Sequence, residues 1–380
     1  VRPHDISARF DDLHAGVAVA FPEFAYDLVA QRPSEVGPVL AEVERATARG
    51  WWAFGFVSYE AAAGFGLPAV DPVPGLPLAW FGVSAGPARV PLVPTAFAAR
   101  PGRYQVDWRP EWTADVHRAR VETVRKWIEA GETYQTNLTT RLTTNFAGDP
   151  SALYADLALA QRGAHNAYLD LGRFVIASAS PELFFDLRDR DLLMRPMKGT
   201  APRGATPAAD AENLRRLCAS EKERAENVMI VDLVRNDVSR IAETGSVRVT
   251  SLCAPEKYET LHTLTSDVRA RLRPGVTVPE VFRALFPCGS VTGAPKERTM
   301  ELITAVEDGP RGVYCGAVGV VAPGGRARFN VAIRTVLVDR DTGIAVYGSG
   351  GGITWGSRPA AEYAELRVKA AVLGSIRGER

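Results

Sequence analysis

YQTNLTTRLTTNF, residues 134–146, is the stretch from which the fold is read. Tyr134, Thr136, Leu138, Thr140 and Leu142 fall on one side of an alternation. Gln135, Asn137, Thr139 and Arg141 fall on the other. A period of two, rich in threonine, predicts a strand with one polar face. Upstream, Val121, Val124 and Ile128 recur at helical spacing and Gly131 follows as a stop, predicting a helix from about 113. Downstream, RFVIASASPELFFDL (173–187) predicts a buried strand, a turn at Pro181 and a second strand. Residues 206–236 predict one long helix, opened by Thr206 with Pro207 in its first turn. GVYCGAVGVVAP, ARFNVAIRTVLVD and GIAVYGSGGGI (312–323, 327–339 and 343–353) predict three β-rich runs joined by turns. A final helix spans about 359–377. The C-terminal two-thirds is thus α/β or α+β, strand-rich with several long helices.

Residues 1–90 mix short apolar runs, such as WWAFGFVSYEAAAGF and LPLAWFGV, with Pro and Gly, and read as strands and turns. The loop-like DPVPGLP (71–77) and AGPARVPLVP (85–94) set a boundary near 90–110. The expected organisation is a strand-rich segment 1–110 and a main domain 111–380. With 380 residues, 46% of them hydrophobic, the chain can bury a large core. Its 45 basic residues nearly balance 44 acidic ones, so no charge-driven affinity for nucleic acid or membrane is implied. The four cysteines, Cys218, Cys253, Cys288 and Cys315, form no CxxC, which argues against structural zinc and a disulfide framework. No apolar run approaches 18 residues and no signal peptide is evident, so a reducing, cytoplasmic location is expected.

Two glutamate pairs stand out. Glu223 and Glu226 share one helix face at i, i+3, and Glu362 and Glu365 do the same on the last helix. Such a pair is either a solvated surface or half of a hard-cation site of the kind Mg²⁺ uses. GSGGG (348–352) follows a strand but precedes no helix, so a dinucleotide loop fails on context. GSVTG (289–293) is either a tight turn or a place of close backbone approach to a ligand. His262 is either a hydrogen-bonded structural residue or a catalyst. Arg334 interrupts an apolar run, and a guanidinium pointing inward needs an anion, from a ligand or from a structural carboxylate. Lys198, in MRPMKGTAPRG (194–204), is either a surface charge or a reactive amine. From the residues alone the chain reads as an enzyme, metal-assisted, acting on a small anionic substrate.

Taken in order, GETYQTNLTTRL, SASPELFF, RPMKGTAPRG, SEKERAENVMIVDLVRND, LFPCGSVTGAPKERTMELI, GVYCGAVG, FNVAIRT and GSGGGITWGSRPAAEYAELRVK resemble the ordered motifs of the chorismate-utilising enzymes. The resemblance covers about 113–375 and is loose and shortened over 1–110. It implies a chorismate-binding, anthranilate-synthase-like fold of two packed, largely antiparallel sheets flanked by helices. It also implies Mg²⁺ held by Glu226 and Glu365, with Glu223 and Glu362 in support. Arg334 and Tyr314 match positions that hold the enolpyruvyl carboxylate. Gln135, Thr200, Thr292, Gly350, Gly351 and Lys369 match the pocket around the ring, and His262 matches a histidine near it. Glu182 matches the general acid that helps the C4 hydroxyl leave, a role that requires a raised pKa.

Two positions sort the subfamilies. Water-adding members carry a lysine where Gln135 stands, and Gln cannot serve as that base. Anthranilate synthases carry a small alanine where Lys198 stands, whereas aminodeoxychorismate synthases carry lysine. The resemblance is therefore nearest to the large component of the latter, whose lysine attacks C2 of chorismate before ammonia adds at C4. The alternatives are anthranilate or 2-amino-2-deoxyisochorismate formation, and a non-catalytic chorismate-binding subunit. Met197, Asn227 and Cys288 depart from the usual pattern without removing a catalytic group. No glutamine-hydrolysing site is evident, so ammonia is expected from a glutamine amidotransferase, as a subunit or a fused domain. No nucleic-acid or membrane partner is expected.

Overall fold

A computed structural model of the chain describes residues 6–93, 104–258 and 261–374. Two large sheets dominate it, and the pairings between their strands are antiparallel. The first begins at the short edge strand Gly293–Ala294 beside Gln135–Asn145, which is paired along its length with Ile344–Ile353. From there the order continues through Thr335–Asp339, Phe174–Ser180, His165–Leu171, Ile6–Asp12, Val17–Ala20 and Ala88–Arg89. The second runs Met197–Pro202, Leu261–Arg271, Asp191–Arg195, Leu183–Arg188, Arg326–Val331, Ala317–Ala322, Trp52–Val57, Ala79–Ser84 and Tyr26–Ala30. Residues 6–93 thus contribute strands to both sheets. Phe54, Phe56 and Phe81 from this segment are fully buried.

The strand, turn and strand expected over 173–187 are present, but Phe174–Ser180 lies in the first sheet and Leu183–Arg188 in the second. The chain crosses between sheets at Pro181 and Glu182. ARFNVAIRTVLVD, expected as one run, divides in the same way into Arg326–Val331 and Thr335–Asp339. The break falls at Arg334, whose φ of 51° is left-handed. That conformation is costly for a residue with a Cβ, and it turns the chain just before Thr335 begins the strand in the other sheet.

The long helix expected over 206–236 is two helices, Pro207–Ala219 and Glu221–Ser239. Ser220 separates them in an extended conformation and caps the second, its hydroxyl accepting from Glu223 N at 3.3 Å. The second helix buries Ile230, Val231, Val234 and Val238 against the core. Asn227 on that face is satisfied, since Nδ2 donates to Leu264 O at 3.2 Å and Oδ1 accepts from the Ser266 hydroxyl. The helix Ala114–Glu129 ends before Gly131, as its spacing predicts. The last helix, Pro359–Gly374, packs on Ile344–Ile353. Residues 375–377 of the expected final helix lie outside the described residues. Among the described residues no helix is long and apolar enough to cross a membrane.

Candidate active site

The two crossings between sheets lie side by side, because Phe174–Ser180 pairs with Thr335–Asp339 and Leu183–Arg188 pairs with Arg326–Val331. Glu182 and Arg334 therefore enter one cleft. Met197–Pro202 brings Lys198 and Thr200 to it, and Ile344–Ile353 brings Gly350 and Gly352. The helices Glu221–Ser239 and Pro359–Gly374 close it with Glu223, Glu226, Glu362, Glu365 and Lys369. Tyr314 and Asn137 complete the wall.

Buried Glu182, only 3% exposed, has a pKa raised to about 7. Burial is the largest cause, opposed by a hydrogen bond from Ser290 and by the charge of Lys198. Its Oε1 has no partner. Lys198 has a lowered pKa, chiefly from desolvation and against the pull of Glu226. The amine stands against the backbone of Gly352, where an added Cβ would lie 3.0 Å from Lys198 Nζ and 2.7 Å from Gln135 Nε2. Only glycine lets the strand approach both groups so closely. The Gln135 amide, fully buried, has no partner for either of its polar atoms. Next to Lys198, Gly199 has a φ of +84° and faces Glu223.

Arg334 is 9% exposed, its pKa is lowered by burial, and its Nη1 has no partner. A buried guanidinium with a free donor calls for an anion in the cleft. Tyr314 lies beside it in the lining, its pKa pushed up by burial.

The glutamates converge across the cleft. Lys222 Nζ lies 3.6 Å from Glu226 Oε1 and 3.6 Å from Glu362 Oε1, linking the two helices. Lys369 Nζ lies 2.8 Å from Glu365 Oε1 and donates to Gly350 O at 2.9 Å. Burial raises the pKa of Glu223 and Glu226, and neighbouring carboxylates add to the shift. Glu365 is lowered by Lys369. Among the described residues no three metal-ligating side chains already stand at coordinating positions. The donor set nevertheless suits a hard divalent cation, for it offers four carboxylates, and the buried Glu226 Oε1 accepts no hydrogen bond.

Four expected site residues stand back from the cleft wall, Gln135 among them, behind Gly352. His262 Nε2 is paired with Asp210 Oδ1 at 2.8 Å, and Asp210 is also held by Arg203 Nε at 2.7 Å. His262 thus has the hydrogen-bonded surroundings of the first of its two readings and does not line the cleft. Thr292 is fully buried, its hydroxyl turned to Cys288 O at 3.3 Å and its carbonyl accepting from Asn137 N at 2.7 Å. It supports the wall without lining it. Gly351 lies beside Lys369 and Glu362 without lining the cleft.

Sequence reasoning passed over Asn137, Lys222 and Ser290, which line the cleft. Asn137 shares the polar face of its strand with Gln135, and that alternation was the available signal. Behind the wall, Arg311 donates to Val291 O at 2.7 Å and to Asn137 O at 2.8 Å, and pairs with Glu307 at 2.7 Å. This buried pair ties the GSVTG turn to the strand that carries Gln135.

Residues 90–375 match the family described as chorismate binding enzyme. Aminodeoxychorismate synthase of Streptomyces pristinaespiralis is 44% identical over 255 residues, covering 67% of this chain and 35% of that protein. Aminodeoxychorismate synthase component 1 of Klebsiella aerogenes is 40% identical over 258 residues, covering 68% and 57% respectively. Anthranilate synthase component 1 of Neisseria meningitidis serogroup B is 39% identical over 260 residues, covering 68% and 52%. The chain therefore spans between about a third and three-fifths of the length of these relatives. The solved structure of anthranilate synthase component I from Streptococcus pneumoniae superposes with a TM-score of 0.81. It is 24% identical, covers 97% of this chain and 92% of that one, and establishes the fold. A family match over three-quarters of the sequence, joined to this cleft, shows that the chain belongs to the chorismate-binding enzymes.

Proposed function

We propose that the chain is the chorismate-aminating component of an aminodeoxychorismate synthase, forming 4-amino-4-deoxychorismate through a covalent bond to Lys198. The observation that carries this reading is the placement of Lys198. Its amine is desolvated, set against Gly352 beside the Gln135 amide, in one cleft with Glu182. Relatives named aminodeoxychorismate synthase, at 40–44% identity, support it.

Chorismate carries two carboxylates and a C4 hydroxyl. Arg334, with its free Nη1, pairs with the enolpyruvyl carboxylate. The ring is held between Gly350 and Lys369 on one side and Thr200 on the other. Glu226 and Glu365 would hold Mg²⁺ with Glu223 and Glu362 behind them, and that ion would neutralise the ring carboxylate. The neutral Lys198 amine attacks C2, the ring double bonds shift, and the C4 oxygen leaves with the proton of Glu182. Ammonia then adds at C4, the double bonds shift back and Lys198 is expelled. The attack needs an uncharged amine and a protonated acid, and burial moves Lys198 down and Glu182 up, each toward the form it needs. The ammonia comes from a glutamine amidotransferase, as the name component 1 among the relatives suggests.

The test is intact-protein mass spectrometry after incubation with chorismate and Mg²⁺ but no ammonia. A covalent adduct that maps to Lys198 and is discharged by ammonium is expected. Amination at full rate by a protein lacking this amine would refute the assignment. Relatives named anthranilate synthase at 39% identity keep a 2-amino product as the second reading.

A further inference from the structure

We propose that Lys222 is a resident cation of the carboxylate cluster, which a divalent metal ion must displace in order to bind. This rests on the reading of that cluster as a metal site.

Lys222 is the second residue of the helix Glu221–Ser239 and lies one turn before Glu226. Its ammonium stands at 3.6 Å from a carboxylate oxygen on each of the two helices that form the cluster. The charges define what is missing. Glu223, Glu226, Glu362 and Glu365 bring four negative charges when ionised, and Lys222 and Lys369 bring two positive ones. With Lys222 in place two negative charges remain, and with Lys222 turned out to water three remain, so a divalent ion can take the place that Lys222 holds.

The two lysines are not equivalent. Lys369 is tied to the Gly350 carbonyl as well as to Glu365, and its side chain is 27% exposed. The Lys222 side chain is 47% exposed, and its contacts with Glu226 and Glu362 are both longer than the Lys369–Glu365 pair. A lysine ammonium is a strongly hydrated point charge on a flexible stem, so Lys222 can reach water by side-chain rotation, without movement of its helix. A divalent ion taken up by Glu226 would sit within a few ångströms of that ammonium, where like charges repel. Lys222 therefore leaves as the ion enters. In the metal-free protein the same lysine holds the two helices together against the repulsion of their carboxylates. Metal affinity is reduced by this competition, and the empty cleft keeps its shape.

The experiment is a calorimetric titration of Mg²⁺ into the wild-type chain, Lys222→Gln and Lys222→Arg, without substrate. Thermal unfolding of each protein is recorded with and without Mg²⁺. Loss of two weak, partly exposed ion pairs is expected to tighten Mg²⁺ binding about three- to tenfold in Lys222→Gln. Lys222→Arg, which keeps the charge, should stay near the wild-type affinity. Metal-free Lys222→Gln should unfold at a lower temperature than wild type, and saturating Mg²⁺ should remove the difference. Binding of equal or lower affinity in Lys222→Gln overturns the role of Lys222 and leaves the metal site standing. No uptake by any of the three proteins overturns the metal site, and the proposal with it.

Discussion

Glu182 and Lys198 start from ordinary values on opposite sides of neutrality and are moved toward each other by the same cause, loss of water. The proposed mechanism asks for a protonated acid beside a neutral amine, and both shifts run in that direction. With free ammonia held constant, the 4-amination rate should fall as pH rises through about 7, as Glu182 loses its proton. A pH–rate profile for Glu182→Gln should lack that limb, and its persistence would assign it elsewhere. The same shift acts on stability. The folded-state pKa of Glu182 lies above its reference value of 4.5, so folding takes up a proton between about 4.5 and 7. Its contribution to stability therefore falls as pH rises through that window, and Glu182→Gln should raise the unfolding temperature at pH 8 relative to wild type. Lys198→Ala should reduce 4-amination at least about a hundredfold, the equivalent of ~2.7 kcal/mol of barrier, while chorismate binding measured by calorimetry changes little. Both residues were legible in the sequence through the motifs around them. Their pKa shifts were not, because burial is a property of the fold.

Ser220 is a residue whose effect is felt through an element. It ends one helix and starts another, so that Glu223 becomes the third residue of a new helix and Glu226 stands one turn further in. Ser220→Ala removes the cap and should cost about 1 kcal/mol, read as a lower denaturant midpoint at unchanged m-value. The break was hidden by good helix formers on both sides, although Ser220 and Glu223 have the spacing of a capping box. The split of ARFNVAIRTVLVD was hidden for a different reason. Both halves are apolar and β-branched, and periodicity does not say which sheet a strand joins. Arg334 marks the break only through its left-handed φ. The choice between the two readings of His262 was not legible, because its alternating neighbours are shared by strands that line the cleft and strands that do not. Its partner Asp210 lies 52 residues away and is brought to it by the fold. In contrast, the polar face of Gln135–Asn145 was readable directly, since a period of two survives in any sheet.

At the scale of the whole molecule, the cleft depends on strands far from it in sequence. Trp52–Val57 lies between Ala317–Ala322 and Ala79–Ser84 in the second sheet, and Ile6–Asp12 pairs with His165–Leu171 in the first. Removal of residues 1–90 would open an edge in both sheets and expose the faces that Phe54, Phe56 and Phe81 now cover. Such a fragment should lose cooperative unfolding by circular dichroism, even though the family match begins at residue 90. The Pro- and Gly-rich sequence marks a boundary and fits a segment that packs on the core, whereas the pairing of its strands with distant ones leaves no local trace. Supply of nitrogen is also a whole-molecule matter. The chain should use ammonium salts, better as pH rises toward the ammonium pKa at rates normalised for the loss of Glu182 acidity, and should use glutamine only when an amidotransferase is added. The most direct test of the central claim is the identity of the product. The purified chain is incubated with chorismate, Mg²⁺ and an ammonium salt, and the product is identified by mass and by the position of its nitrogen. The account predicts 4-amino-4-deoxychorismate; anthranilate or another 2-amino product would contradict it.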